Sequence, residues 1–71
     1  MRYMGKLQAI VMDALILASV GGTTVIVCPS DAVANSAREK IEQDREFFYV
    51  EQDENGNFVH TSGGQIRVEV A

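Results

Sequence analysis

Apolar residues recur along this chain with the spacing of a helix in two segments and of a strand in several others. The first helix is predicted from Lys6 to Ser19, where apolar residues follow the i, i+3, i+4, i+7 spacing of one face: Leu7, Ile10, Val11, Ala14, Leu15 and Ala18. Thr23–Cys28 is β-branched and apolar between two glycines and a proline, which is typical of a strand buried on both faces. A second helix is predicted from Asp31 to Asp44, with Ser30 as its N-cap.

The last third of the chain has the composition of strands. Phe47–Gln52, Phe58–Thr61 and Gln65–Val70 are predicted strands, and turn residues separate them at positions 53–57 and 62–64. The fold class is therefore α/β (α+β), in one small domain over residues 1–71, with the order helix, strand, helix and then an antiparallel meander. We expect Thr23–Cys28, the second helix and Phe47–Gln52 to form a right-handed βαβ crossover.

The first helix carries apolar residues on a second face as well: Met12, Ile16 and Leu17. A helix that is apolar nearly all round is normally buried on more than one side, which is difficult in a chain of 71 residues. One cysteine, Cys28, cannot form an internal disulfide to compensate for a small core. The second face therefore predicts a homodimer or a complex with another protein.

The apolar run Ala9–Val20 is too short for a membrane span, which needs about 20 apolar residues. A secretory signal is the closer alternative, because Arg2 and Lys6 precede the run. Asp13 in its middle argues against a signal peptide. We expect a cytoplasmic protein that does not bind membranes.

Charge is distributed unevenly. The formal net charge is −4, and the segment from Glu39 to Glu54 alone carries −5, with seven acids against Lys40 and Arg45. An acidic balance disfavours direct binding of nucleic acid. The simplest interpretation of this acidic segment is a solvated helix face and turn. The alternative is a surface for a protein partner with a basic, nucleic-acid-binding face, formed by Glu39, Glu42, Asp44, Glu46, Asp53 and Glu54, with Glu51 between them.

No motif predicts a reaction, a cofactor or a metal site. Cys28 and His60 are a conceivable thiol–imidazole pair, but nothing in the sequence places them together. The turn around Asn55-Gly56 has part of a calcium-loop spacing, yet Ser62 stands where the bidentate glutamate is needed. Gly21-Gly22 lacks the lysine of a phosphate-binding loop. We expect a protein that is not an enzyme.

One family resemblance can be stated. The helix Ala9–Val20, Gly21-Gly22-Thr23, the strand ending in Cys28-Pro29-Ser30 and the helix from Ala32 to Glu42 resemble the segment after the Walker A motif in P-loop DNA-motor ATPases. The segment looks like the corresponding part of phage terminase large subunits and superfamily-two helicases, and Gly63–Val68 resembles a turn and strand that follow in terminases. Both Walker motifs are missing from this chain, so the resemblance assigns no catalytic residue.

Two functions are therefore expected, and a third is a further option. The first is a small acidic binding protein of phage or prophage type, which inhibits a nucleic-acid-handling protein as anti-CRISPR proteins do. The alternative is an orphan or accessory fragment of a terminase-like motor ATPase that completes a larger sheet, or a structural homo-oligomer. The acidic segment favours the first, and the resemblance favours the fragment.

Overall fold

The structure is a computed structural model that describes residues 2–71, and the side chains of residues 6–71. Two helices and four strands follow one another as α1 (Arg2–Ser19), β1 (Thr23–Cys28), α2 (Asp31–Asp44), β2 (Val50–Gln52), β3 (Phe58–His60) and β4 (Gln65–Val70). The predicted element order and the mixed α/β class are confirmed. Helix α1 begins four residues before the predicted start, β2 lacks the first three predicted residues, and β3 lacks the last one.

The four strands form one sheet in the order β1-β4-β3-β2. Strands β2, β3 and β4 are an antiparallel meander, as predicted. The predicted βαβ unit is present, since α2 connects β1 to β2 and these two strands run parallel in one sheet, but they are not neighbours: β1 pairs in parallel with β4 and lies at the opposite edge from β2. The reason is strand length: β4 matches all six residues of β1, from Thr23 opposite Gln65 to Cys28 opposite Val70, whereas β2 has only three residues.

Both helices pack on the same face of this sheet and contact each other. The buried side chains form one cluster: Leu7, Val11, Ala14, Leu15 and Ala18 of α1, Ala34, Ala37 and Ile41 of α2, and Ile26, Cys28, Val50, Phe58 and Ile66 of the strands. In the part of the chain that the structure describes, the other face of the sheet has no helix on it. The prediction that β1 is buried on both faces is therefore wrong, since Val25 and Val27 are 45% and 60% exposed.

Helix α1 ends in a Schellman motif. The amide of Gly22 donates to the carbonyl of Leu17 at 2.9 Å, and the amide of Gly21 donates to the carbonyl of Ala18 at 3.0 Å. Gly21 has a φ of +87°, the left-handed conformation that this motif requires and that glycine adopts without steric penalty. Helix α2 begins with the predicted cap, since the Ser30 hydroxyl accepts from the amide of Val33 at 3.3 Å.

The end of α1 lies directly against the β3–β4 turn. Gly64 is buried there, and a Cβ added to it would lie 2.6 Å from the Cα of Ala18 and closer still to its carbonyl oxygen. The Ser62 hydroxyl donates to that same carbonyl at 2.8 Å. Only a glycine at position 64 permits this approach of turn and helix. Within residues 2–71 we find no helix that has both the length and the apolar character needed to cross a membrane.

Candidate interaction surface

The segment between α2 and β2 continues the helical path and ends it at Tyr49. The amide of Val50 donates to the carbonyl of Arg45 at 2.8 Å, and the amide of Tyr49 donates to that of Glu46 at 3.3 Å. These two bonds have the pattern of a second Schellman motif, with Tyr49 at the position that Gly21 has at the end of α1. Tyr49 has a φ of +58°, which is costly for a residue with a Cβ.

Two aromatic side chains project from this segment into solvent. Phe47 is 80% exposed and Tyr49 is 70% exposed, whereas Phe48 between them is partly buried against the core. The rings of Phe47 and Phe48 are in edge contact, with centroids 5.2 Å apart. The segment predicted as the start of a strand is thus a turn that presents aromatic rings.

The structure brings some of the predicted acidic residues together around Tyr49. Glu46 and Glu51 line one shallow depression with Tyr49, and Glu51 and Asp53 line an adjoining one with the same tyrosine. Glu39 and Glu42 of α2 line a separate depression, which shares Gln52 with the first two. The other predicted residues, Asp44 and Glu54, line none of these depressions. The acids therefore flank the edge strand β2.

Some of these carboxylates already have local partners. Glu42 forms an ion pair with Arg45, with 3.3 Å between the carboxylate oxygen and Nε, and both side chains are 42% exposed. One carboxylate oxygen of Asp53 accepts from the amides of Asn55 and Asn57, at 2.9 Å each. Asp53 therefore holds the β2–β3 turn. Among the side chains of residues 6–71, Glu42–Arg45 is the sole ion pair, so Glu39, Glu46 and Glu51 have no salt-bridge partner there.

The second predicted surface is the apolar face of α1. Ile16 and Leu17 are 52% and 45% exposed, and Met12 is half-buried. Leu17 lies against Gly22, as is common for the residue at that position of a Schellman motif. The face is present in the structure, and its burial by a partner remains a prediction.

Neither a catalytic pair nor a metal site assembles in the described part of the chain. Cys28 is buried at the far end of β1, and the pairing register places His60 six residues away along the strand direction, about 20 Å. His60 Nδ1 lies 2.9 Å from the Ser62 hydroxyl and accepts from the Ser62 amide, while that hydroxyl donates to Ala18. The hydroxyl proton is thus used in a structural bond. Among residues 6–71 no three histidine, cysteine or acidic side chains could hold a metal ion.

Comparisons with known proteins add no relative: no protein-family model, no curated protein and no solved structure matches this chain. The resemblance to terminase-type ATPases therefore stays a prediction. Any assignment of function to this α/β protein has to come from its own surface.

Proposed function

We propose that this chain is a small acidic binding protein, without enzymatic activity, that occupies a basic surface of a nucleic-acid-handling protein. The proposed biological role is that of a phage or prophage inhibitor, comparable to anti-CRISPR proteins. The surface that we assign to the partner contains Phe47 and Tyr49 with the carboxylates of Glu46 and Glu51 beside Tyr49, and it extends across Gln52 to Glu39 of α2. We call it the aromatic–acidic surface.

The observation that carries this proposal is the left-handed conformation of Tyr49. A non-glycine residue in this conformation costs about 1–2 kcal/mol. At the end of α1 the same position is occupied by glycine, so the fold has a less strained solution available. The strained residue is an exposed aromatic side chain, 70% accessible, that makes no contribution to the buried core. Local strain of this kind is found at functional sites.

The chemistry of the aromatic–acidic surface matches a basic protein partner. Tyrosine is among the residues that contribute most to binding at protein interfaces, and its ring also stacks on arginine guanidinium groups. The surrounding carboxylates accelerate the encounter with a basic surface and disfavour acidic partners. A partner surface that normally binds nucleic acid already carries the positive charges that these carboxylates would contact.

The experiment is affinity capture from an extract of the native host, with identification of bound proteins by mass spectrometry. We expect capture of a nucleic-acid-binding protein that is released by added double-stranded DNA and by raised salt. The variant Glu46→Lys/Glu51→Lys should lose this capture, and Tyr49→Ala should weaken it at least tenfold. Asp13→Lys/Glu69→Lys is the matched control, because either pair of changes raises the formal net charge from −4 to zero.

The control pair separates a local surface from overall charge. Asp13 and Glu69 are exposed on α1 and β4, outside the three depressions near β2. Equal loss of capture in both double variants would mean that only net charge matters. Capture that survives both double variants, or that DNA cannot displace, would contradict the proposal.

A second candidate function is the accessory fragment of a terminase-like motor ATPase. Its support is the free edge of β1, where a larger sheet could add a strand. Cross-linking of the captured complex distinguishes the two candidates. Cross-links from Lys40 report on the acidic face of α2, whereas cross-links from Lys6, beside the end of β1, indicate strand addition.

A further inference from the structure

Strand β1 has an unpaired edge. It is the first strand in the order β1-β4-β3-β2, so β4 contacts only one of its two sides. The carbonyls of Gly22 and Cys28 accept from the amides of Gln65 and Ala71 at 3.0 and 2.8 Å. Since backbone groups alternate along a strand, the even-numbered residues face β4. The amides and carbonyls of Thr23, Val25 and Val27 therefore point outward, which makes three donors and three acceptors.

This edge lacks the devices that normally prevent strand addition. Such devices include short strands, charged side chains, proline and bulges. β1 has six residues, TTVIVC, with neither a charge nor a proline among them. The other edge strand, β2, has three residues, contains Glu51 and follows the strained Tyr49. The contrast indicates that only the β1 edge is suited to pairing.

Exposed apolar side chains lie beside the same edge. Val25 and Val27 are 45% and 60% exposed on the face of the sheet that has no helix. On the helix side, Ile10 is 46% exposed and lines a small depression together with Ile26, Val27 and Cys28, with Lys6 at its border. Ile10 is also the one predicted core residue of α1 that is not buried. A strand that paired with this edge would therefore cover apolar side chains on both faces of the sheet.

We propose that the occupant of this edge is β1 of a second copy of the chain, paired antiparallel about a two-fold axis at Val25. In that register Val25 is opposite Val25 of the second copy, and Thr23 is opposite Val27. All three outward-facing residues then donate and accept one bond each, six bonds across the interface. The result is a continuous eight-stranded sheet, with β-branched side chains facing each other across the junction.

Charge is compatible with this pairing, although the protein is acidic overall. The segment from Thr23 to Val27 is uncharged, so no like charges meet at the junction. On β4, Arg67 is the residue paired with Val25. The two copies of Arg67 would be three strand spacings apart, about 14 Å, which exceeds the Debye length of about 8 Å at physiological salt.

This inference does not rest on the aromatic–acidic surface, but it excludes the second candidate function, because the one open edge of β1 cannot pair both with a second copy and with a larger sheet. The aromatic–acidic surface flanks β2, at the opposite edge of the sheet, so it would remain exposed at both ends of the dimer. A wild-type protein that forms the dimer but captures no basic partner would therefore contradict only the first proposed function. A monomer that still captures its partner would contradict only the dimer.

The test is the molar mass in solution together with amide hydrogen exchange. We expect the wild-type protein to have twice the monomer mass of 7.8 kDa, with slow exchange at Thr23, Val25 and Val27 that is lost on dilution. Val25→Pro removes an outward amide, which an edge strand tolerates, and should leave only monomer. Val25→Lys places two lysines directly opposite and should have the same effect. Val25→Thr is the matched control and should stay dimeric.

The outcomes are decisive in both directions. If Val25→Pro fails to fold, as judged by circular dichroism, the exposed change Val25→Lys still tests the interface. A wild-type monomer at millimolar concentration would overturn the proposal. So would a dimer that both variants leave intact, or a dimer in which Ile16 and Leu17 are protected and Val25 is not. A monomer whose β1 amides become protected only with an added foreign protein would assign the edge to that protein instead.

Discussion

Gly64→Ala is expected to destabilise the protein strongly, because the new Cβ has no room. It would lie 2.6 Å from the Cα of Ala18, whereas ordinary carbon contacts are about 3.5–4.0 Å. Either the last turn of α1 or the β3–β4 turn must therefore retreat by about 1 Å. Ala18 is 1% exposed and Leu15 is fully buried, so the retreat opens the core where α1 meets the sheet.

The decrease in the free energy of unfolding is the sum of two contributions. Overpacking of a close contact costs about 1–3 kcal/mol. The retreat also breaks the hydrogen bond from the Ser62 hydroxyl to the Ala18 carbonyl, worth about 1 kcal/mol. The sum, about 3 kcal/mol, is a large part of the roughly 4–11 kcal/mol expected for a chain of this length. It corresponds to a decrease in Tm of about 12–24 °C.

Urea unfolding followed by circular dichroism measures this loss, with Gly63→Ala as the control. Gly63 has a φ of +96° and no atom within 4 Å of an added Cβ, so its substitution introduces only backbone strain, about 1–2 kcal/mol. The adjacent glycines therefore separate steric overlap from conformational preference. If Gly64→Ala were no less stable than Gly63→Ala, the close packing of turn and helix described above would be refuted.

Two further substitutions test other parts of the fold. Ser30→Ala removes the hydroxyl that caps α2 and should reduce the free energy of unfolding by about 1 kcal/mol in urea titration; an unchanged midpoint would mean that the cap is unimportant. Tyr49→Gly relieves the left-handed strain and should raise the thermal midpoint, while capture of the partner weakens. A destabilised Tyr49→Gly protein would contradict the view that Tyr49 is retained for function rather than for folding.

The elements that could be predicted from the sequence are those set by local signals. The bounds of β1, α2 and β4 agree with the prediction, because Gly21-Gly22, Pro29-Ser30 and the alternation in Gln65–Val70 act over a few residues. The parallel pairing of β1 with β4 could not be predicted in this way. It depends on the late start of β2 at Val50, and thus on the left-handed turn at Tyr49 that precedes it, which the composition of this segment does not reveal.

The candidate surface was predictable in part. The run of acids from Glu39 to Glu54 is visible in the sequence, but the topology decides which of them gather beside β2. Phe47 and Tyr49 were missed because Phe47-Phe48-Tyr49-Val50 has the composition of a strand. The signal in the sequence was the run of three consecutive aromatic residues in a chain with a small core. The structure buries Phe48 only in part, and Phe47 and Tyr49 stay outside the core.

The central position of β4 has a consequence for how the chain acquires its structure. β4 follows every other element, yet it lies between β1 and β3, and its pairing with β1 joins residues 42 positions apart. During synthesis β1 has no strand beside it until β4 leaves the ribosome, although its uncharged β-branched segment is prone to intermolecular pairing throughout that time. Contacts of such long sequence separation also slow folding. Helix α1 precedes β1 in the chain and packs on its core face, so it can cover that face while the sheet is incomplete, whereas both edges of β1 stay open until β4 arrives.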